Sequence, residues 1–420
     1  MQIHKFGGAS IKDANAIKNV SEIIRQMKDD RMVIIISAIG KTTNALEKIV
    51  HAYVTNDVSY EVLFDEIISN HKTLIDSLFE KKEDAEFAIS GVVKMRTDLN
   101  EWMLENPNKE YTFCYDQIVP LGERMSSFIV HRYLRSVDIT NEKLDARQVI
   151  ITDDNYTDAN IDWDKTKYKV STHIHPGSNI YIMEGFIGST AEGHSTTLGR
   201  EGSDFSAAIM SYCLDAAKMT VWKDVDGIYN ADPKLFPDAI VLKELTYKEA
   251  IEMTFYGAQV IHPKTIKPLQ NKGIPLHVRS FLQPDKPGTK LVEKINQESF
   301  PPIIVLKKEQ VLLTFSNRDY SFLNEKNLGR IIQAFGDLSL RILVMQNTAI
   351  SFLVVTDLKV GKIEFIMKEL DKEFSITKTV DLDLLTIRHY YQEITDKYTK
   401  GRNVIMAQKT AETIQYLMSS

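Results

Sequence analysis

The 420 residues carry a formal charge of -6, with 43% hydrophobic and 26% charged side chains, a balance that excludes disordered, collagen-like and disulfide-dense classes. A chain of this length is expected to divide into two or three domains, and its acidity offers no long-range attraction to nucleic acid or an anionic membrane. Cys114 and Cys213 lie far apart without Cys or His at ligand spacing, which argues against a disulfide framework or zinc site and fits a reducing cytoplasm.

The N-terminal MQIHKFGGAS lacks the apolar core of a signal peptide, and the longest apolar run, Val33 to Ile39, is too short to span a bilayer. Ile3 to Phe6 reads as a strand entering Gly7-Gly8. Ala14, Ile17, Val20, Ile24 and Met27 then recur at helical spacing, with Ser10 and Asp13 placed as a capping box. Met32 to Ser37 is a second β-branched strand, so the opening unit is β-α-β and parallel. From about residue 46 to 110 the apolar positions keep helical spacing among many charges, predicting a helical insertion. Strands return at Asn179 to Phe186 and Met219 to Trp222, around a helix from Asp204 to Ala216.

Gln283-Pro284-Asp285-Lys286-Pro287-Gly288 and the later Pro301-Pro302 mark a boundary, giving a first domain over about 1–290 and a second over 300–420. Beyond it, Gln310 to Phe315, a helix from Asn324 to Phe335, Leu340 to Met345 and Ile350 to Val355 form a ferredoxin-like β-α-β-β unit. Leu384 to Tyr390 and Asn403 to Met418 supply further strands with little room for full helices.

Three clusters carry chemistry. Lys5-Phe6-Gly7-Gly8-Ala9-Ser10 sets a cation at a strand end and two residues without Cβ before a helix, an arrangement that suits a phosphate. An ordinary glycine turn with a solvated lysine is the competing reading. Gly185-Phe186-Ile187-Gly188 and the TTLGREGSD run from Thr196 to Asp204 bring backbone N–H groups together with Arg200, able to hold a carboxylate bidentately, and Asp204, able to hold a cation. The run KDVDGIYNADPK from Lys223 to Lys234 suits a nucleotide base and ribose, and taken alone reads equally as a turn between strands. His194 and His262 lack a local orienting partner and are read as structural.

In this order, and together with Ser37-Ala38, Thr42-Thr43-Asn44, Gly122-Glu123-Arg124-Met125-Ser126, Tyr256-Gly257-Ala258 and His262-Pro263, these clusters resemble the amino-acid kinase fold family and specifically its aspartate kinases. The resemblance implies an α/β fold, an open, mostly parallel sheet sandwiched by helices, on which ATP, Mg²⁺ and L-aspartate meet above the carboxyl ends of the strands. It implies that Lys5 stabilises the transferring phosphoryl group, that Gly7, Gly8 and Ser37 line its path, and that Asp204 organises the cations. Thr43, Glu123, Arg200 and Ser203 would hold aspartate, Arg200 on its α-carboxylate and Glu123 on its α-ammonium. Lys223, Asp224, Tyr229 and Lys234 would form the nucleotide side. The chain departs from the family pattern at Glu201, where a glycine is common, at Lys223, where threonine is common, and at Gln259, where a lysine often contacts ATP.

Residues 303 to 420 resemble ACT-type α+β regulatory modules, the second one abridged, which implies a homodimer and an amino-acid effector, lysine or threonine, near Met345 to Ser351. The 420 residues leave no length for a fused dehydrogenase domain, so a single activity is expected. The competing functions are a kinase of the same fold acting on another small acceptor, and a catalytically silent amino-acid-sensing subunit.

Overall fold

In a computed structural model the chain is described over residues 1–107, 109–175, 177–258, 260–295, 300–319 and 321–419. It divides into two compact units. The first comprises Met1–Ile228, Val241–Ile251 and Ile261–Ile295, and the second Tyr229–Ile240, Glu252–Val260 and Asn296–Ser420. The linear division near residue 290 assigns two segments differently: Tyr229–Ile240 and Glu252–Val260 pack with the second unit.

The elements up to residue 292 are, in order, β1 (Gln2–Phe6), α1 (Ala14–Gln26), β2 (Met32–Ile36), α2 (Thr42–Val54), α3 (Tyr60–Leu78), α4 (Lys82–Glu105), α5 (Tyr111–Ile118) and α6 (Leu121–Ser136). Then come β3 (Glu142–Leu144), α7 (Ala146–Val149), α8 (Trp163–His173), β4 (Ile180–Glu184), β5 (Ile187–Ser189), β6 (Ser195–Thr197) and α9 (Gly202–Cys213). The series closes with β7 (Lys218–Lys223), β8 (Glu244–Thr246), α10 (Tyr247–Tyr256), α11 (Pro263–Lys272), β9 (Leu276–Ser280) and β10 (Thr289–Val292).

Eight strands form one sheet in the order β3-β4-β2-β1-β7-β9-β10-β8, parallel throughout except between β9 and β10. All five residues of β2 and of β4 are buried, as central strands covered on both faces require. The expected cap of α1 is corrected in one detail. Asp13, not Ser10, caps the helix by accepting from the Ala16 N–H at 2.9 Å, while the Ser10 hydroxyl donates to the Gly7 carbonyl at 2.6 Å and closes a 3-10 turn over Gly8–Ile11. The helical insertion is three helices, α2 to α4, whose Leu46, Phe64, Ile75, Ala88 and Val92 join the core beneath the sheet.

Register positions the site. Phe6 pairs with Ile36 on one side and Trp222 on the other, and Ile36 pairs with Glu184. Four strands therefore end at one level. The chain leaves β1 toward β2 while β7 lies on the opposite side, which makes the carboxyl end of β1 a topological switch point, the place where open α/β sheets hold ligands.

The second unit contains β11 (Ile303–Asn317), α12 (Glu325–Asp337), β12 (Ile342–Asn347), β13 (Ser351–Asp357), α13 (Val360–Leu370), β14 (Phe374–Arg388), α14 (Gln392–Thr399), β15 (Val404–Lys409) and β16 (Thr413–Ser419). They form an antiparallel sheet in the order β12-β13-β11-β14-β16-β15. The register of β11 against β14 shifts between Lys307 and Leu312, where Glu309 and Asp381 take φ near +56° and +57°. These bulges divide the sheet into two halves, one covered by α12 and α13 around Phe315, Phe335 and Phe374.

The other half differs from expectation. Its chain after Arg388 has room for the helix α14, and β14 begins ten residues before Leu384, at Phe374. Ala231, Phe236 and Ala239 of the Tyr229–Ile240 segment share a core with Ile304, Leu385, Ile387 and Ile414, and Phe236 meets Tyr398 of α14 edge-on with centroids 5.3 Å apart. A stretch between two strands of the first sheet thus supplies cover that a second full helix would give. Among the described residues no helix is long and apolar enough to cross a membrane.

Candidate active site

Above the carboxyl ends of β1, β2 and β4 lies a cleft of about 440 Å³, bordered by Lys5, Gly8, Ser37, Thr43, Glu123, Arg200, Ser203 and Asp204. All eight were singled out by sequence. Lys5 projects from β1, and its Nζ lies 2.7 Å from Asp204 Oδ1 in the first turn of α9, both side chains largely buried. A cation and the amino end of a helix on one wall favour an anion between them.

Local packing explains the glycines. A Cβ on Gly8 would stand 2.7 Å from the Ala38 carbonyl oxygen, so β1 and β2 continue into loops whose backbones touch. On Gly185 it would meet Ser203 Cβ at 2.5 Å, so the turn after β4 presses on α9. The Gly-Glu run opening α6 works similarly, because Gly122 packs on Ala38 and Ser126 Oγ donates to the Ser37 carbonyl at 2.6 Å. Between those anchors Glu123 faces the cleft.

Glu123 is 3% exposed, and its Oε2 has no hydrogen-bond partner. Burial raises its carboxyl from the usual 4.5 to about 8, against backbone N–H groups of Glu123 and Ala38 that pull it down; Glu184 adds to the rise and Lys5 opposes it. A buried carboxyl with one unmatched oxygen suits a cationic ligand group, and exposed Arg200 on the opposite loop suits an anionic one. The cleft can hold a dipolar molecule at both ends and offer a cation at its centre.

Gly7 is not among the residues that border the cleft, and a Cβ placed on it would stand 3.3 Å from Lys5 Nζ. Lys223 ends β7 and Asp224 follows it, beside β1 at the same sheet edge, but neither borders the cleft. Tyr229 and Lys234 fall in the segment that belongs to the second unit. Gln259 lies outside the described residues. His262 caps α11, its Nδ1 accepting from the Lys264 N–H at 3.2 Å, and His194 stacks edge-on against Phe113, structural placements for both.

The sequence reading missed Gly40, Tyr115 and Thr157 on the wall, and it quoted Phe186 within its cluster without giving it a role. Thr157 and Phe186 have φ of +74° and +70°, and Glu201, also on the rim, has +55°. Three non-glycine residues in the left-handed region around one cleft mark stored strain, and no glycine in the sequence announces it. Among the described residues no group of three His, Cys, Asp or Glu side chains could hold a metal by itself.

The amino acid kinase family model matches residues 1–280. The chain is 30% identical over 396 residues to aspartokinase 2, chloroplastic, of Arabidopsis thaliana, covering 88% of this chain and 70% of that one. It is 31% identical over 308 residues to the bifunctional aspartokinase/homoserine dehydrogenase 1, chloroplastic, of the same plant, 70% of this chain and 33% of the relative. The chain thus spans about a third of the length of its bifunctional relatives. Among solved structures, E. coli aspartokinase III in complex with lysine and aspartate superposes with TM-score 0.82 at 24% identity, over 99% of this chain and 95% of that one. Clostridium acetobutylicum aspartate kinase does so with TM-score 0.81 at 22% identity, over 100% and 96%. The mostly parallel sheet of the first unit and the antiparallel sheet of the second share the fold of these two structures.

Proposed function

The chain belongs to the amino acid kinase family, and from that premise we propose that it is an ATP-dependent aspartate kinase, forming 4-phospho-L-aspartate and ADP. The observation that carries this reading is the pairing, across one cleft, of buried Glu123 with exposed Arg200 around the Lys5–Asp204 ion pair. Arg200 takes the α-carboxylate bidentately and Glu123 takes the α-ammonium, which leaves the β-carboxylate directed at Lys5, with Thr43 and Ser203 as hydroxyl partners. An acceptor without a free amino-acid head leaves Glu123 buried and unmatched.

A β-carboxylate oxygen forms the new bond to the γ-phosphorus as the bond to the β,γ-bridging oxygen breaks, and the electron pair leaves with ADP. The acceptor is already ionised at neutral pH, so no base is required. Lys5 offsets the charge of two approaching anions, and the Gly7-Gly8 and Gly199 to Gly202 backbones let the phosphoryl group come close. Mg²⁺ would enter on the triphosphate, neutralising its charge, with Asp204 as the carboxylate available to it. The nucleotide would lie along the β7 end, with Lys223 and Asp224 as its partners in the first unit.

The second unit would bind an amino-acid effector, lysine or threonine, in a homodimer, and the reading places the protein in the cytoplasm. The test is aspartyl-hydroxamate formation with ATP and Mg²⁺, run beside glutamate and with lysine or threonine added. Aspartate-dependent product supports the kinase. No product with any acceptor, despite measurable ATP binding, would replace it with an amino-acid-sensing partner protein.

A further inference from the structure

Asp116, in α5, is fully buried and reaches two other parts of the chain. Its Oδ2 accepts from the Thr197 N–H at 2.8 Å and the Thr157 N–H at 3.0 Å; its Oδ1 accepts from the Thr197 hydroxyl at 2.6 Å. Every partner is a neutral donor. A lone carboxylate away from water is expensive, and a core that needed only cohesion is served as well by an apolar side chain. What this carboxylate accomplishes is specific: it holds the amide of a β-branched residue in the left-handed region, φ +74°, on the wall of the cleft. Such a conformation is strained for a residue with a branched side chain and persists only where its surroundings fix it.

The rest of the turn is fixed too. Ala159 N–H donates to the Thr197 carbonyl at 3.0 Å, and Lys264 Nζ meets Asp158 Oδ1 at 2.7 Å and the Leu198 carbonyl at 3.1 Å. Those contacts tie residues 157–159 to the strand that leads into Gly199 and Arg200. The Asp116 carboxylate is the contact on Thr157 itself, where the strain is.

We propose that Asp116 is a positioning residue: through the Thr157 amide it sets the wall of the cleft against which the amino-acid acceptor is oriented beside Arg200. This rests on the kinase reading of the cleft. It assigns Asp116 no contact with substrate.

The test is a double-mutant cycle of D116N and T157G in the full-length protein. Asparagine keeps one acceptor oxygen but turns an NH₂ toward donors that need acceptors. Glycine adopts the left-handed conformation without strain. D116N is expected to raise the KM for aspartate about tenfold while leaving the KM for ATP within about twofold. In the T157G background the same substitution is expected to raise it by less than about threefold, because the conformation no longer needs holding. Equal effects in both backgrounds, or parallel rises in both KM values, would overturn the assignment and leave Asp116 a general support of the fold. Amide hydrogen exchange gives a readout free of substrate. Exchange at residues 156–158 is expected to quicken about tenfold in D116N while α9 is unchanged, and unchanged exchange there overturns the proposal whatever the kinetics. A wild-type protein that fails to phosphorylate aspartate removes the kinase reading, whereas the exchange result still decides whether Asp116 holds the turn.

Discussion

Glu123 borders the cleft and Asp116 lies behind its Thr157 wall, two buried carboxylates whose surroundings give them opposite uses. Asp116 is matched on both oxygens by N–H and O–H donors, which restrain the rise that burial causes to about 6. Glu123 keeps an oxygen unmatched and rises to about 8. A satisfied buried acid organises protein, and an unsatisfied one awaits a cation. Burial alone does not distinguish them.

The sharpest way to break that contrast is E123Q. It is nearly isosteric and removes the charge meant for an ammonium, so kcat/KM for aspartate is expected to fall by about 10²–10³, with thermal stability within about 1 kcal/mol of wild type or above it. A stability loss as large as that expected of D116N would mean that Glu123 is engaged by the protein itself and is not kept for a ligand. D116N gives the opposite profile. Stranding the Thr157 and Thr197 donors is expected to cost about 2–4 kcal/mol of stability, read by chemical denaturation.

How far each residue was legible follows from where its partners lie. Lys5, Arg200 and Asp204 sit in short glycine-rich runs that point to a ligand loop, the Lys5 run only once it is joined to the others, and Glu123 was placed through the family resemblance that its Gly122 to Ser126 run helps to carry. Asp116 gains its meaning from Thr157 and Thr197, 41 and 81 residues away, and no local pattern encodes that meeting. The strain at Thr157 and Phe186 was hidden for a related reason, since the left-handed positions carry side chains instead of glycine. The parallel sheet was readable from β-branched runs and the turns after them. The course of Tyr229–Ile240 was not, because its turn-rich chemistry reads as a nucleotide loop while Ala231, Phe236 and Ala239 supply the small apolar surface that packs on β14 and β16. The first half of β14, SITKTVDLD, was missed because five consecutive exposed residues, Thr377 to Asp381, break the alternation expected of a strand.

pH sharpens the same contrast. The Glu123 carboxyl is raised in the folded protein, so ionising it there opposes folding; that cost is absent below about 4.5, where it is protonated in both states, and is complete above about 8. E123Q should therefore gain stability relative to wild type as pH rises through that window. An ammonium ligand favours the ionised form, so its binding expels the proton. With Lys5 and Glu184 as the neighbouring charges, the KM for aspartate is expected to fall up to about tenfold per pH unit between roughly 6 and 8 and then to level off. A profile that is flat in wild type, or unaltered in E123Q, would exclude Glu123 as the ammonium partner.

The smallest effect concerns a third carboxylate, on the rim. Glu201 precedes α9 with φ of +55° and accepts the His262 N–H at 3.1 Å while its side chain stays exposed. E201G relieves about 1 kcal/mol of left-handed strain and gives up an exposed hydrogen bond worth about as much, so stability should move by less than about 1 kcal/mol. Its charge matters more than its contact. On the proposed kinase reading both substrates are anionic, so an anion at the cleft mouth opposes both, and removing it should lower both KM values about two- to threefold at low ionic strength and by less at high salt. A salt-independent change would instead trace the effect to the backbone turn, placing Glu201 with Asp116 among the residues that shape the cleft.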